Sequence, residues 1–258
     1  MALHIIVCIK SVVMKAPENG TSRSADTAEM NLFDKPALES AVALVEKEGG
    51  TVTALSMGPK SCAFVLHEAI AMGAERGVLL SDPRLSDSDT LATSTALGAA
   101  IKKLEPYDIV LFGTRTYDSD TGQVGPQAAV SLNIPLVTGV SSLDYENPLL
   151  RVERKVDGFR EEYTLSLPAA LTIHPTSVKP RDIPLGGIEE AFEKKKIEAW
   201  TLKDLLLDPE LVGSTGSPTE VLSMKKMVRE RKCELLEGTV EEQAETLIDR
   251  IKETGIIG

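Results

Sequence analysis

Short, uniformly apolar runs rich in β-branched residues recur through the first half of this chain, each followed by a longer stretch with helical spacing. "HIIVCIK" (His4–Lys10), "TVTALSMG" (Thr51–Gly58), "RGVLLSD" (Arg76–Asp82) and "YDIVLFG" (Tyr107–Gly113) are the runs. They are too short for buried helices and too continuous for strands with one wet face. Such segments read as strands of a parallel sheet covered on both sides. Between them lie "FDKPALESAVALVEKEGG", "SCAFVLHEAIAMGA" and "TLATSTALGAAIKKLE". In the first of these Leu38, Ala41, Val42 and Val45 share a face, Asp34 takes the N-cap, Pro36 falls in the first turn and Gly49-Gly50 end the helix. Ser88 or Asp89 opens the third. Strand and helix alternating at this spacing predict βαβ units with right-handed crossovers, hence an α/β fold: a Rossmann-like parallel sheet with helices on both faces.

The texture changes near Val137. "LLRVERKVDGFREEYTLS" alternates about a turn at Asp157-Gly158, which predicts an antiparallel hairpin appended to the sheet. "AALTI" after Pro168 reads as a strand returning to the core. "EEAFEKKKIEAWTLKDL" is charged and in part helical, with Lys194–Lys196 on a solvated face. "LVGSTGSPTEVLSM" is a Gly/Ser-rich loop, and "VVMKAPENGTSRSADTAEMN", residues 12–31, is loose and polar with Pro17, Asn19 and Gly20 as breakers. The last helix begins at a capping box, Thr239 with Glu242, and carries Val240, Ala244, Leu247, Ile248 and Ile251 as one apolar stripe. The division expected is an α/β domain over 1–205 and a C-terminal arm over 206–258.

In open parallel sheets ligands bind outside the carboxyl ends of the strands. Those ends here are "CIKSV", "SMGPK", "SDPRLSDSDTLATS" and "RTYDSDTGQVGPQAA". Gly58 and Gly113 allow backbone to approach a ligand. Thr90, Thr93 and Ser94 place hydroxyls near a helix N-terminus, where free N–H groups and a partial positive charge suit phosphate. Thr121, Gly122, Gln123 and Val124 offer backbone amides in the same way. Asp118 and Asp120 would repel a phosphate they faced, so they shape the loop or meet ribose hydroxyls. The plainer alternative is a capped strand-to-helix turn holding nothing, since Asp, Ser, Thr and Gly are ordinary turn formers. There is no GxGxxG and no GxxxxGK[ST], so neither the common dinucleotide fingerprint nor a P-loop is present.

Composition narrows the function classes. The net charge is −11 and aromatics are 4%, against a nucleic-acid partner or an anionic membrane surface. The start "MALHIIVCIK" shows no leader features and no run approaches a membrane span, which predicts a cytoplasmic protein without membrane insertion. The three histidines, His4, His67 and His174, have no metal spacing, and no metal site is expected. His67 reads as a helix-surface residue. The cysteines Cys8, Cys62 and Cys233 form no disulfide framework, and Cys8 reads as core rather than nucleophile. No GxSxG elbow and no acid/base constellation stands out, so no catalytic side chain is named and reactive chemistry falls to a cofactor.

Several stretches together resemble the beta subunit of electron transfer flavoproteins: "VCIK", "NLFDKPALESA", "MGPKSCAFVLHEAIAMGAERGVLL", "DSDTGQVGPQ" and "VERKVDGFREEYTLSLPAALT". In the last, Arg154, Asp157 and a following Glu precede Pro168 and a small apolar run, as in the family's signature. Phe159 departs from the usual acidic or Gly residue, and Val13 stands where the family often has proline. Neither touches the phosphate seat. The resemblance implies a heterodimer with an alpha subunit, and a cofactor site drawing on Cys8, Ile9, Lys10, Asn31, Asp34, Met57, Gly58, Gly113 and the loop from Asp118 to Val124. Ordinary members hold AMP there, as a scaffold and docking module. Electron-bifurcating members hold FAD and take hydride from NADH.

"SDTLATSTALG" and "GSPT" (Gly216–Thr219) are similar to stretches of the bifurcating group, and "DSDT" resembles its "DGDT" rather than "DDDC". The implied partners are the alpha subunit, a flavin dehydrogenase acting on an acyl-CoA, an enoyl-CoA or a 2-hydroxy acid, and ferredoxin or flavodoxin. In "KPRDIPLGGIEEAF", Leu185 falls at the family's exposed leucine anchor, and the arm after Leu205 is expected to wrap the alpha subunit. From outside the family, an ATP-binding α/β sensor domain is the alternative.

Overall fold

Strand β1 (Leu3–Cys8) runs through the middle of a sheet, with Ile5, Ile6 and Val7 wholly buried. The structure, a computed structural model, describes residues 2–13, 28–194, 196–220, 222 and 233–255. After β1, β2 (Ser11–Val13) and β3 (Ala28–Met30) pair as a small antiparallel ribbon, so both ends of the stretch 12–31 expected to be loose are strands; residues 14–27 between them lie outside the described residues. Then follow α1 (Lys35–Glu48), β4 (Gly50–Met57), α2 (Ala63–Ala71), β5 (Arg76–Leu80), α3 (Thr90–Lys103), β6 (Ile109–Gly113) and α4 (Val124–Leu132). These are the expected βαβ units. Three antiparallel strands come next, β7 (Leu136–Glu146), β8 (Leu149–Val156) and β9 (Phe159–Ser166), before β10 (Ala169–Ile173) returns to the core.

The chain continues through α5 (Leu185–Glu189), a π-helical turn over Glu190–Lys194, β11 (Glu198–Trp200) and α6 (Leu202–Leu205). The nine-stranded order is β11-β5-β4-β1-β6-β10-β7-β8-β9. All pairs from β11 to β10 are parallel, and β7-β8-β9 are antiparallel.

Alternate residues of β1 feed two cores, because successive side chains of a strand point to opposite faces. Leu3, Ile5 and Val7 join α1 and α2 in one cluster, with Leu38, Ala41 and Val42. Ile6 and Cys8 join α3 and α4 in the other, with Leu97, Ala100 and Ala128.

Local expectations and structure differ in three further places. The antiparallel part is a three-stranded sheet, not a hairpin alone. β7 was hidden because it pairs parallel with β10 on one edge, at Leu136, Val137 and, past an irregularity, Val140, and antiparallel with β8 on the other edge from Val140. The charged "EEAFEKKKIEAW" stretch contains a strand, β11, at the sheet edge. Its Trp200 is buried beneath the cations of Arg76 and Lys103, 5.6 Å and 4.9 Å from the ring centroid. His67 is half-buried rather than a free surface residue: it stacks on Phe192 at 4.6 Å and pairs through Nδ1 with the carbonyl of Ala191.

Two compact units divide the chain, Met1–Glu220 and Val221–Gly258. The first extends beyond the division expected at 205/206, because Val212 is buried in the same cluster as Leu85, Trp200 and Leu202. Its inner turn at Gly213 lies so close to the carbonyl oxygen of Arg84 that no Cβ fits. In the second unit α7 (Val240–Glu253) starts at the expected Thr239–Glu242 capping box and exposes Val240, Leu247 and Ile248. Among the described residues no helix is long and apolar enough to cross a membrane.

Candidate functional site: the carboxyl edge of the parallel strands

Crossovers through α1 and α2 carry the chain from β1 outward to β4 and β5, and the crossover through α3 brings it back to β6 on β1's other side. The strand order therefore reverses at β1, and the crevice beyond the carboxyl ends of β1 and β6 is where such a sheet takes a ligand. Cys8, Ile9 and Lys10 close one side of it and Gly113 the other. Met57 ends the neighbouring strand β4 and Gly58 follows it. A Cβ on Gly113 would fall on Asp34 Oδ1 and lie 2.6 Å from the carbonyl oxygen of Phe33, so only glycine lets the α1 entry approach β6.

Asp34 occupies the N-cap of α1, but its carboxylate caps nothing. It turns into the crevice floor, where Lys10 N–H donates to Oδ2 (2.8 Å) and Asn31 Nδ2 donates to Oδ1 (2.8 Å). Burial pushes its carboxyl up to about 7, opposed by hydrogen bonds from Lys10, Asn31 and Gly113 and by the Lys10 charge. Asn31, wholly buried, extends the grip to the next loop. Its Nδ2 also donates to the carbonyl of Arg115 (2.9 Å), and its Oδ1 accepts from Tyr117 N–H (3.2 Å). The Lys10 ammonium reaches both oxygens of Asp118 at 2.9 Å. Asp120, left-handed at φ 54°, pairs with Arg115 at 3.3 Å, and the Arg115 guanidinium lies 4.7 Å from the Phe33 ring centroid. Both aspartates are thus neutralised by cations, and both shape the loop.

Beyond this loop α4 begins, with Gln123 at its N-cap and Thr121, Gly122 and Val124 around its first turn. The first N–H groups of a helix have no partner within it. Thr90, the first residue of α3, donates from Oγ1 to Gln123 Oε1 (3.0 Å), which ties the two helix starts together. Asp89 caps α3 by accepting from Leu91 and Ala92 N–H. Its other oxygen accepts from Thr219 N–H (3.1 Å), and its own N–H donates to Ser217 Oγ (2.8 Å). "SDTLATS" and "GSPT" therefore meet in space at the rim. Thr93 is half-exposed one turn into α3. Ser94 is buried, and its hydroxyl donates back to the carbonyl of Leu91 (2.8 Å). It lines the helix interior and presents no hydroxyl to the crevice.

Cys8 is buried, and its thiol is pushed well above its ordinary range by burial and by the Asp34 charge, which makes it a core residue and no nucleophile. A separate groove of about 290 Å³ between α1 and the bulged part of β7 shares no lining residue with the crevice.

The electron transfer flavoprotein domain matches residues 20–205 of the sequence. The chain belongs to the electron transfer flavoprotein family, among its beta subunits. It is similar to the electron transfer flavoprotein subunit beta of Thermoanaerobacterium thermosaccharolyticum, 40% identical over 228 residues, 88% of this chain and 87% of that one. It is 36% identical to the caffeyl-CoA reductase-Etf complex subunit CarD of Acetobacterium woodii, covering 99% of this chain and 100% of that one. It is 35% identical to the acryloyl-CoA reductase electron transfer subunit gamma of Anaerotignum propionicum, with the same shares, 99% and 100%.

For an electron transfer flavoprotein beta subunit, the structure brings nearly all the expected residues to one edge: Cys8 to Lys10, Asn31, Asp34, Gly113 and Asp118 to Val124, with Thr90 bridged to Gln123. Leu185 stands apart as the first residue of α5 and is 86% exposed. Sequence reasoning read Asp89 as a candidate helix opener and missed its bonds to Ser217 and Thr219. Its only signal is the Asp-Thr step at a helix start, which announces a cap but not the second segment that the cap holds.

Proposed function

We propose that this electron transfer flavoprotein beta subunit holds FAD in the crevice and belongs to the electron-bifurcating group. The carboxylates at the crevice each have partners: Asp118 has Lys10, Asp120 has Arg115, and Asp89 has backbone N–H groups. A diphosphate at the start of α4 therefore meets a helix N-terminus without unshielded acids beside it. Gln127, one turn into α4, keeps its Oε1 buried with no hydrogen-bond partner among the described residues, a polar atom that a ligand would satisfy. The residues present fit a nucleotide.

The observation that carries the reading toward FAD is the joint at Asp89, where the α3 start and the Gly213–Thr219 segment build a polar wall beyond the α4 seat. Backbone amides of Thr121 to Val124 would hold the diphosphate. Asn31, Asp34 and Lys10 would keep their loop in place, and Thr90 and Thr93 would face the far half of the ligand. When bound, FAD would accept hydride from NADH and pass one electron to ferredoxin or flavodoxin and one to the alpha-subunit flavin. This chain's own residues bind and orient; none is assigned proton transfer. The names of the Acetobacterium and Anaerotignum relatives place them with CoA reductases, which supports a flavin dehydrogenase of that kind as partner. Leu185 is the apolar anchor for that partner, and the C-terminal unit, Val221–Gly258, docks on the alpha subunit. Leu185→Ala should raise the KM for the dehydrogenase severalfold and leave flavin content alone; an unchanged KM dismisses the anchor.

A second reading, AMP as a structural nucleotide, uses the same α4 seat and leaves the Asp89 wall without a ligand. Nucleotides released from the purified alpha–beta complex separate the two. Two FAD per heterodimer and no AMP are expected, whereas one FAD with one AMP overturns the bifurcating reading.

A further inference from the structure

We propose that Asp89 is a positioning residue, a clasp that fastens the Gly213–Thr219 segment to the crevice rim and so decides whether the crevice retains a whole FAD or only its adenylate half. The inference rests on the FAD reading above.

A helix cap needs one side-chain oxygen. Asp89 spends Oδ1 that way, accepting from Leu91 N–H (2.9 Å) and Ala92 N–H (3.0 Å). Its Oδ2 has a different use: it accepts from the N–H of Thr219, 130 residues further along the chain. Its own N–H donates to Ser217 Oγ, and that hydroxyl in turn donates to the carbonyl of Gly213 (2.6 Å). The neighbouring Ser88 completes the seam, accepting from Gly213 N–H (3.1 Å) and donating to the carbonyl of Leu85 (2.8 Å). Gly213 is left-handed at φ 66° and lies against the Arg84 carbonyl, so the segment can reach Asp89 only with glycine there.

Three hydrogen bonds thus hold a short, Gly/Ser-rich stretch to the rim, and it has little burial of its own beyond Val212 and Gly213. Burial opposes the Asp89 charge, yet the N–H groups of Ala92, Thr219 and Leu91 hold its carboxyl below the ordinary range, so it is the acceptor-only anion that the clasp requires. The next residue, Thr90, bonds Gln123 at the mouth of α4. Asp89 therefore stands between the phosphate-side helix and the outer wall. The α4 seat itself does not use Asp89, so loosening the clasp should cost the flavin end of a ligand and spare the adenylate end.

The test uses the alpha–beta heterodimer with two variants. Asp89→Asn keeps an Oδ1 for the cap but turns an NH₂ toward the Thr219 N–H. Ser217→Ala leaves the cap intact and removes the hydroxyl that accepts from the Asp89 N–H and donates to the Gly213 carbonyl. Released FAD and AMP are counted, and FAD and AMP are titrated separately into stripped protein. The Kd for FAD at the beta site should rise about tenfold or more in Asp89→Asn, the scale of one lost hydrogen bond to a charged group, and about fivefold in Ser217→Ala, the scale of a neutral one. The Kd for AMP should change less than about twofold and the melting temperature should hold. Wild-type FAD affinity in both variants, or equal losses for FAD and AMP, overturns the clasp. Should Asp89→Asn not fold, Ser217→Ala decides alone. A wild-type complex with one FAD and one AMP instead sinks the FAD reading, and the clasp with it.

Discussion

In the parallel part of the sheet, from β11 to β10, strands such as β1 and β10 are buried on both faces; at the other end β9 leaves most of its residues in water. Both regions belong to one hydrogen-bonded sheet. They differ in what covers them. Crossover helices lie over the parallel strands, so their side chains are mostly apolar, with Thr53, Ser56 and Thr172 as buried exceptions, and their carboxyl ends open onto helix starts and loops. β8 and β9 are joined by a tight turn at Asp157-Gly158 and need no helix between them, so charged side chains can pair across the strands, as Arg154 does with Glu161 and Arg160 with Glu153. Tolerance to change should therefore fall steeply from one end of the sheet to the other, and the site belongs where tolerance is lowest.

The largest expected effect tests that directly. Gly113→Ala forces a methyl onto a buried carboxylate oxygen and a backbone carbonyl. Neither is the yielding end of a long side chain, so the loss should reach about 3 kcal/mol or more in denaturant unfolding, with the beta-site nucleotide lost too. A variant as stable as the wild type would show that α1 and β6 are not locked together.

Asp34 sharpens the comparison through pH. Its folded pKa, about 7, lies above the ordinary 3.8, so the native state keeps a proton that the unfolded chain has already lost. Its contribution to stability is therefore most favourable below pH 3.8, declines as pH rises toward about 7, and stays low above that. Asp34→Asn should flatten this part of the melting temperature–pH profile. An unaltered slope would mean that the carboxylate is ionised throughout, held by its N–H donors.

The smallest effect belongs to the antiparallel end. Phe159 is 71% exposed beside the turn, and Phe159→Ser should change stability by less than about 0.5 kcal/mol. A loss of about 2 kcal/mol in the assembled heterodimer would instead mark that end as a covered interface.

Much of the parallel region was legible because burial on both faces leaves an unbroken apolar signature. β1, β4, β5, β6 and β10 all stand where runs of Val, Ile, Leu and Ala occur. The caps at Asp89 and Thr239 were legible for a local reason: donor and acceptor lie within a few residues of each other. β7 and β11 were not. One pairs parallel along one edge and antiparallel along the other, with irregular register, and the other is three residues at an edge among charges. Most site residues were reachable from the family's motifs, yet their duties were not. Asp34 looked like a cap and is a floor bracket. Ser94 looked like a ligand hydroxyl and bonds its own helix.

By itself, then, the sequence determined the βαβ order, the crevice that such an order must open, and the kinship with electron transfer flavoprotein beta subunits. Each of these rests on patterns repeated over many residues. Only the tertiary structure decided which partner each polar side chain takes. Lys10 finds Asp118 across 108 residues and Asp89 finds Thr219 across 130, and a carboxylate's own neighbours in sequence carry no record of a donor that folding brings from so far away.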